Sequence, residues 1–78
     1  MLNLACLKPG QKGRIIRVGS IGALKRRLVD MGVVSNTPVE VLKIAPLGDP
    51  VEIKIKSYNL SLRKAEAAEI FVELEQAD

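Results

Sequence analysis

The chain has 78 residues, of which 47% are apolar and 27% are charged, and its formal net charge is +3. This length and balance exclude a multidomain protein and a disordered segment, and no apolar run approaches the roughly 18 to 20 residues of a membrane-spanning helix. The chain has no histidine and one cysteine, Cys6, so it lacks the commonest general base near neutral pH and any internal disulfide bond. We therefore expect one small cytoplasmic domain that is not an enzyme and holds no cofactor.

Charge is distributed unevenly along the chain. Residues 1–29 carry seven basic and no acidic side chains, whereas residues 64–78 carry five acidic side chains and one lysine. A basic face would attract an acidic protein, a nucleic acid or an anionic membrane surface. In a small barrel, however, the first and last strands often lie side by side, and the two charged ends would then neutralise each other across the strands.

The first half of the chain predicts a strand followed by a helix. Pro9-Gly10 favours a type II turn, and residues 13–18 form the first expected strand. Residues 21–32 are predicted to form an amphipathic helix, with Ser20 as its N-cap and Gly32 in the left-handed position that ends it. The apolar face of this helix consists of Ile21, Leu24, Leu28 and Met31.

After the helix the apolar period changes to two, which predicts strands. Residues 51–56 alternate without error, with apolar side chains on one face and charged side chains on the other. The alternation within residues 39–44 slips at Leu42, which indicates either a β-bulge or burial on both faces. The remaining expected elements are a strand at 59–63, one or two helical turns at 64–68 and a final strand at 70–74.

Five short strands joined by tight turns favour a closed or nearly closed barrel, because closure removes unpaired strand edges. The expected fold is therefore mainly β: one domain over residues 1–78, with an α-helix after the first strand and a short helical turn before the last strand. Its expected core residues are Leu24, Leu28, Met31, Val51, Ile53, Ile55, Leu60 and Leu62.

Four sequence segments, taken together, resemble the FeoA family of small cytosolic proteins associated with bacterial ferrous iron uptake. Their order and spacing extend over nearly the whole chain. One departure is Ser35-Asn36, which stands where this family commonly carries a Pro-Gly pair. The segments are the leucine-rich start with Pro9-Gly10, residues 28–33 (LVDMGV), residues 46–50 (PLGDP) and residues 60–67 (LSLRKAEA).

The resemblance implies an SH3-like β-barrel with a helix inserted after the first strand. It also implies a partner, the membrane transporter FeoB, which carries a cytosolic GTP-binding domain, and it leaves open recruitment to the inner face of the plasma membrane. The same barrel resembles the C-terminal domain of iron-dependent repressors, and the basic charge of residues 1–29 suits a nucleic acid. The alternative is therefore a barrel that binds nucleic acid or acts as a regulatory domain related to those repressors.

Lys25, Arg26 and Arg27 are the most prominent polar feature of the predicted helix. Two interpretations are open: a solvated helix face, in which Arg26 and Asp30 form an i, i+4 pair, or a docking patch for an acidic surface of FeoB. A stronger version of the second hypothesis makes Arg26 or Arg27 an arginine finger for GTP hydrolysis.

Leu47 is the second candidate contact residue, within the stiff Pro-Leu-Gly-Asp-Pro loop. Either it folds back over the mouth of the barrel, or it is presented to a partner, in which case the rigid loop would lose little entropy on binding. The sequence leaves both interpretations open.

Metal and nucleic-acid binding are both disfavoured by the side chains available. Ferrous iron sites favour imidazole with carboxylate, and without histidine the ligands would be Cys6, Met31 and the carboxylates of the last segment. We therefore expect no tight iron binding. Base stacking needs exposed aromatic rings, and Tyr58 and Phe71 are the only aromatic residues. We expect no nucleic-acid partner and at most weak self-association.

Overall fold

Five antiparallel strands form a single sheet in the computed structural model, which describes residues 2–19 and 22–75. The strand order is β4-β3-β2-β1-β5. The strands are β1 (Lys12–Val18), β2 (Pro38–Ile44), β3 (Val51–Ile55), β4 (Tyr58–Leu62) and β5 (Ile70–Leu74), accompanied by a 3₁₀ helix (Leu4–Cys6), α1 (Gly22–Asp30) and α2 (Lys64–Ala67).

The sheet does not close, so of the two expected forms of the barrel the fully closed one is wrong. Strands β4 and β5 are its two edges and do not pair with each other. The N-terminal segment covers β5 instead: Asn3 forms an isolated antiparallel bridge with Phe71, and the amide of Val72 donates to the carbonyl of Leu2 at 2.9 Å. The edge of β5 is therefore covered without closure.

The core lies between the inner face of the sheet and helix α1. The regular alternation of β3 places Val51, Ile53 and Ile55 inside, and all three are buried. Because leucines four residues apart share one face of a helix, Leu24 and Leu28 both point into the core, where each is 1% exposed. Of the other expected core residues, Leu62 is buried, whereas Met31 and Leu60 are partly buried and pack against the core.

Helix α1 ends two residues before the predicted boundary. The amide of Gly32 donates to the carbonyl of Val29 at 2.9 Å, and the amide of Val33 donates to the carbonyl of Leu28 at 2.9 Å. With φ of +81° at Gly32, these bonds form a Schellman motif, so residues 31 and 32 belong to the helix end. The predicted cap Ser20 and the first apolar position Ile21 lie outside the described residues.

Two β-bulges shape the outer face of the sheet. In β2 the pairing with β3 shifts between Val41 and Lys43, so Leu42 is the extra residue and is exposed. This confirms the bulge and excludes burial on both faces. In β1 the pairing with β5 shifts in the same way around Ile16. This second bulge was not among the sequence predictions, although both bulged segments break the alternation with the same pattern of two apolar residues, a cation and a further apolar residue.

Candidate protein-binding surface

The three cations of α1 do not form one patch, although all three side chains are exposed. Consecutive residues of an α-helix are about 100° apart around its axis, so Lys25 and Arg27 point in nearly opposite directions. Lys25 lies beside β1, where it shares a groove with Ile16 and Val29. The structure therefore separates Lys25 from Arg27. Lys25 lies instead beside apolar side chains that were not among the residues predicted from the sequence.

This groove, here called the β1–α1 groove, is lined mainly by apolar side chains. Its volume is about 200 Å³. Three exposed side chains, Ile16, Val29 and Val34, form its walls, and they are 42%, 61% and 68% exposed. Buried Leu28 and Val33 also line it. The groove is therefore lined both by residues of the hydrophobic core and by apolar residues that are exposed to solvent.

Local hydrogen bonds fix the wall of the groove that follows α1. The Thr37 hydroxyl donates to the carbonyl of Val34 at 2.6 Å and accepts from its amide at 3.0 Å. The amide of Asn36, which has φ of +73°, donates to the carbonyl of Ile15 at 2.7 Å. The Ser35 hydroxyl reaches the carbonyl of Ile16 at 3.4 Å. Because these bonds tie the loop to β1, the groove is formed before any partner arrives.

The bulge at Ile16 explains how a cation reaches the same groove. In a regular strand, positions 13, 15 and 17 would all face the core. One extra residue at Ile16 turns Arg17 outward, and its guanidinium carbon lies 5.0 Å from the centroid of the Phe71 ring. This is cation–π geometry. Arg17 and Lys25 also line a neighbouring depression with Glu69, so two cations and one carboxylate belong to its lining.

Leu47 is 93% exposed and does not fold back over the sheet. The structure thus decides between the two interpretations of this residue in favour of an exposed tip. The amide of Gly48 donates to the carbonyl of Ala45 at 2.7 Å, and a carboxylate oxygen of Asp49 accepts from the amide of Lys64 at 3.0 Å. The loop is therefore held against the start of α2, and a role of Leu47 in partner contact stays a prediction.

Leu47 and the β1–α1 groove lie at opposite ends of β2. The groove includes Val34 and Ser35, which precede β2, whereas Leu47 follows it. Seven residues of strand span about 20 Å at roughly 3.3 Å per residue. The structure therefore does not bring the two predicted contact regions together, and a partner that touches both would need to extend along β2.

The charge asymmetry of the sequence is partly neutralised within the sheet. Arg14 of β1 lies directly opposite Glu73 of β5, and Lys12 lies opposite Glu40 of β2, which in turn faces Lys54 of β3. Opposite charges at directly paired positions are favourable. The cations of β1 before the bulge are thus matched across the strands, whereas Arg17 after the bulge faces Phe71.

Residues 2–19 and 22–75 contain no group of three or more histidine, cysteine, aspartate or glutamate residues placed to hold a metal ion. In the same residues, no helix has the length and apolar character that crossing a membrane requires. Tyr58 and Phe71 belong to the two edge strands, which are not paired with each other, and Arg17 covers one side of the Phe71 ring.

Comparison with known proteins gives one consistent family. The family model described as "FeoA domain" matches residues 2–74. A fusion of Fe(2+) transport protein A with the Fe(2+) transporter FeoB from Porphyromonas gingivalis is 41% identical over 73 residues. That match covers 94% of this chain and 9% of the fusion protein, so the chain spans about a tenth of the length of this relative.

Solved structures agree with the sequence match. The solution structure of the FeoA protein from Chlorobium tepidum is 36% identical, with a TM-score of 0.89, and the match covers 99% of this chain and 73% of that one. The crystal structure of Stenotrophomonas maltophilia FeoA complexed with zinc, a prokaryotic SH3 domain protein, has a TM-score of 0.81 at 23% identity, over 94% of this chain and 91% of that one. The fold is therefore SH3-like, as the sequence predicts.

Proposed function

We propose a role for this chain that starts from its family: it belongs to the FeoA family of ferrous iron transport. In this proposal it is a non-enzymatic accessory protein. It binds the transporter FeoB and regulates or supports it through protein contact. The partner surface in this proposal is the cytosolic part of FeoB, and binding to it would recruit the protein to the inner face of the membrane.

The fusion in Porphyromonas gingivalis is the observation that carries this proposal. In that relative a region 41% identical to this chain is covalently joined to FeoB. Joining two modules in one chain raises the effective concentration of each for the other, to the millimolar range for short flexible linkers. A fusion of this kind is favoured when the two parts act together, which supports contact between the separate proteins as well.

The surface of the protein is compatible with contact rather than catalysis. Leu47 is presented on a braced loop, and the cations Lys25, Arg26 and Arg27 of α1 are all exposed to solvent. Such cations favour an acidic partner surface and speed its association. An arginine finger would need Arg26 or Arg27 to reach a nucleotide bound to FeoB, which is a separate and stricter requirement than docking.

The alternative, a nucleic-acid-binding or repressor-related barrel, is less well supported. Protein platforms for single strands combine a basic groove with exposed aromatic rings. Here Phe71 is partly buried beneath Arg17, and Tyr58 lies on β4. No observation on the described surface favours this alternative over FeoB.

Calorimetric titration with FeoB of the same organism, held in phosphatidylcholine nanodiscs, tests the proposal. We expect saturable binding of the protein to FeoB nanodiscs, none to empty nanodiscs, and weaker binding for Leu47→Ser than for the wild type. Repeating the titration with GTP and GDP analogues shows whether the contact depends on the nucleotide. Equal heats from FeoB nanodiscs and empty nanodiscs would overturn the proposal.

A further inference from the structure

We propose that the β1–α1 groove is the docking site for a short segment of FeoB that inserts one apolar side chain and carries carboxylates next to it. This inference rests on the proposed function, since it names the place and the chemistry of the contact with FeoB. Three observations support it: the exposed apolar walls of the groove, the cations at one end of it and the hydrogen bonds that fix its shape.

The apolar walls indicate what enters the groove. Val29 and Val34 are 61% and 68% exposed, and Ile16 is 42% exposed, so covering all three removes apolar surface from water. Small-molecule sites usually have volumes of about 300–1,000 Å³. The β1–α1 groove, at about 200 Å³, is smaller and open, and it suits an inserted side chain better than a free ligand.

The cations indicate what stands beside the inserted side chain. Lys25 lines the apolar groove together with Arg17, and both also line the depression that continues it. Glu69 is the one acidic side chain lining that depression among the described residues. Two cations against one carboxylate leave an excess of positive charge, which a carboxylate of the partner would complement.

Arg17 is held in place before binding. Its guanidinium lies over the ring of Phe71, so less side-chain entropy is lost when it meets a carboxylate. The loop that carries Val34 is likewise fixed by the hydrogen bonds of Thr37. A preformed groove of this kind favours recognition of a segment without rearrangement of the domain.

A lipid surface is the other occupant with suitable charge, and the shape of the site argues against it. Helix α1 has nine residues, and its one large exposed apolar side chain in the described residues is Val29. An interfacial membrane helix presents a broad apolar face. The apolar side chains here line a groove instead, which fits a side chain of a protein.

Two groove variants and two matched controls test the inference in the FeoB nanodisc titration. We expect Val34→Asp and Lys25→Glu each to raise Kd by about tenfold or more. Leu74→Asp on β5 and Lys54→Glu on β3 replace a leucine and a lysine with acidic residues at exposed positions outside the groove, and we expect them to change Kd less than about threefold. Thermal unfolding of each variant checks the fold, and Val34→Ser is the milder variant if Val34→Asp unfolds.

The outcomes separate this inference from the proposed function. Wild-type binding that survives both groove variants would overturn the groove and leave contact with FeoB intact. No wild-type binding to FeoB nanodiscs would overturn both. Equal binding to empty nanodiscs containing phosphatidylglycerol, lost in Val34→Asp, would assign the groove to anionic lipid and would also overturn the inference.

Discussion

The hydroxyl of Thr37 forms two hydrogen bonds with the backbone of Val34, one to its carbonyl and one from its amide. Thr37 is 6% exposed, and no other polar residue is buried among those described. It thereby fixes the loop between α1 and β2, on which Val34 stands 68% exposed. One buried hydroxyl thus positions one wall of the β1–α1 groove.

Replacing this hydroxyl should destabilise the protein although the shape of the side chain is kept. Thr37→Val removes both bonds and leaves backbone groups of Val34 without these partners, so we expect the free energy of unfolding to fall by about 1–3 kcal/mol. Thr37→Ser retains the hydroxyl and is the matched control. Urea unfolding measures both variants, and equal losses for Val and Ser would contradict the assignment.

A pair of glycines tests the end of helix α1. Gly32 has φ of +81°, and a Cβ there would lie 3.0 Å from Nζ of Lys56, which itself donates to the carbonyl of Gly32. Gly32→Ala should therefore cost about 1 kcal/mol or more. At Gly22 a Cβ would meet nothing within 4 Å, so Gly22→Ala should be neutral or should stabilise by up to about 1 kcal/mol. Thermal unfolding compares the two, and an equal loss at both glycines would argue against the Schellman motif.

Neighbouring residues of α1 test which face packs on the sheet. Leu28 is 1% exposed and belongs to the core, so Leu28→Ala should lower the free energy of unfolding by about 2–5 kcal/mol. That loss is large for a domain whose total stability is of the order of 5–15 kcal/mol. Val29→Ala, at a 61% exposed position, should change stability by about 0.5 kcal/mol or less. An unchanged unfolding midpoint for Leu28→Ala would show that the helix face is misassigned.

Iron binding by the isolated protein is the fourth prediction. Because the chain has no histidine and ferrous sites favour imidazole with carboxylate, we expect no tight one-to-one binding. Anaerobic titration with ferrous iron, followed by calorimetry, measures this. Cys6→Ser is the control, since Cys6 is the exposed thiol of the chain. Saturation at one equivalent with micromolar or tighter affinity would contradict the prediction, and its loss in Cys6→Ser would identify the thiol as a ligand.

The sequence predicts the elements of this fold well because its apolar periods are clear. The alternation of β3 and the leucines of α1 each have one consistent interpretation, and both residue sets are buried. Closure of the sheet, by contrast, could not be predicted from the sequence. Whether β5 pairs with β4 or with Leu2–Asn3 depends on tertiary packing, and no local pattern in these strands encodes that choice.

The candidate binding surface was harder to predict, because burial at its positions depends on strand pairing. The adjacent apolar residues Ile15 and Ile16 break the alternation of β1, but only the pairing with β5 shows that Ile16 is the extra residue and that Arg17 turns outward. Val29 and Val34 read as apolar residues near a helix end, and apolar character alone does not distinguish a core position from an exposed one. The repeated pattern at Ile15–Val18 and Val41–Ile44 was the available signal.

Mapping of methyl groups in the complex tests the central claim most directly. The protein, labelled at its isoleucine, leucine and valine methyl groups, is titrated by NMR with FeoB in nanodiscs. Contact through the β1–α1 groove predicts that signals of Ile16, Val29 and Val34 shift or broaden first, whereas buried Ile53 and Ile55 change little. Unchanged signals of these three groove residues at saturating FeoB, or changes concentrated on β4, would contradict the account.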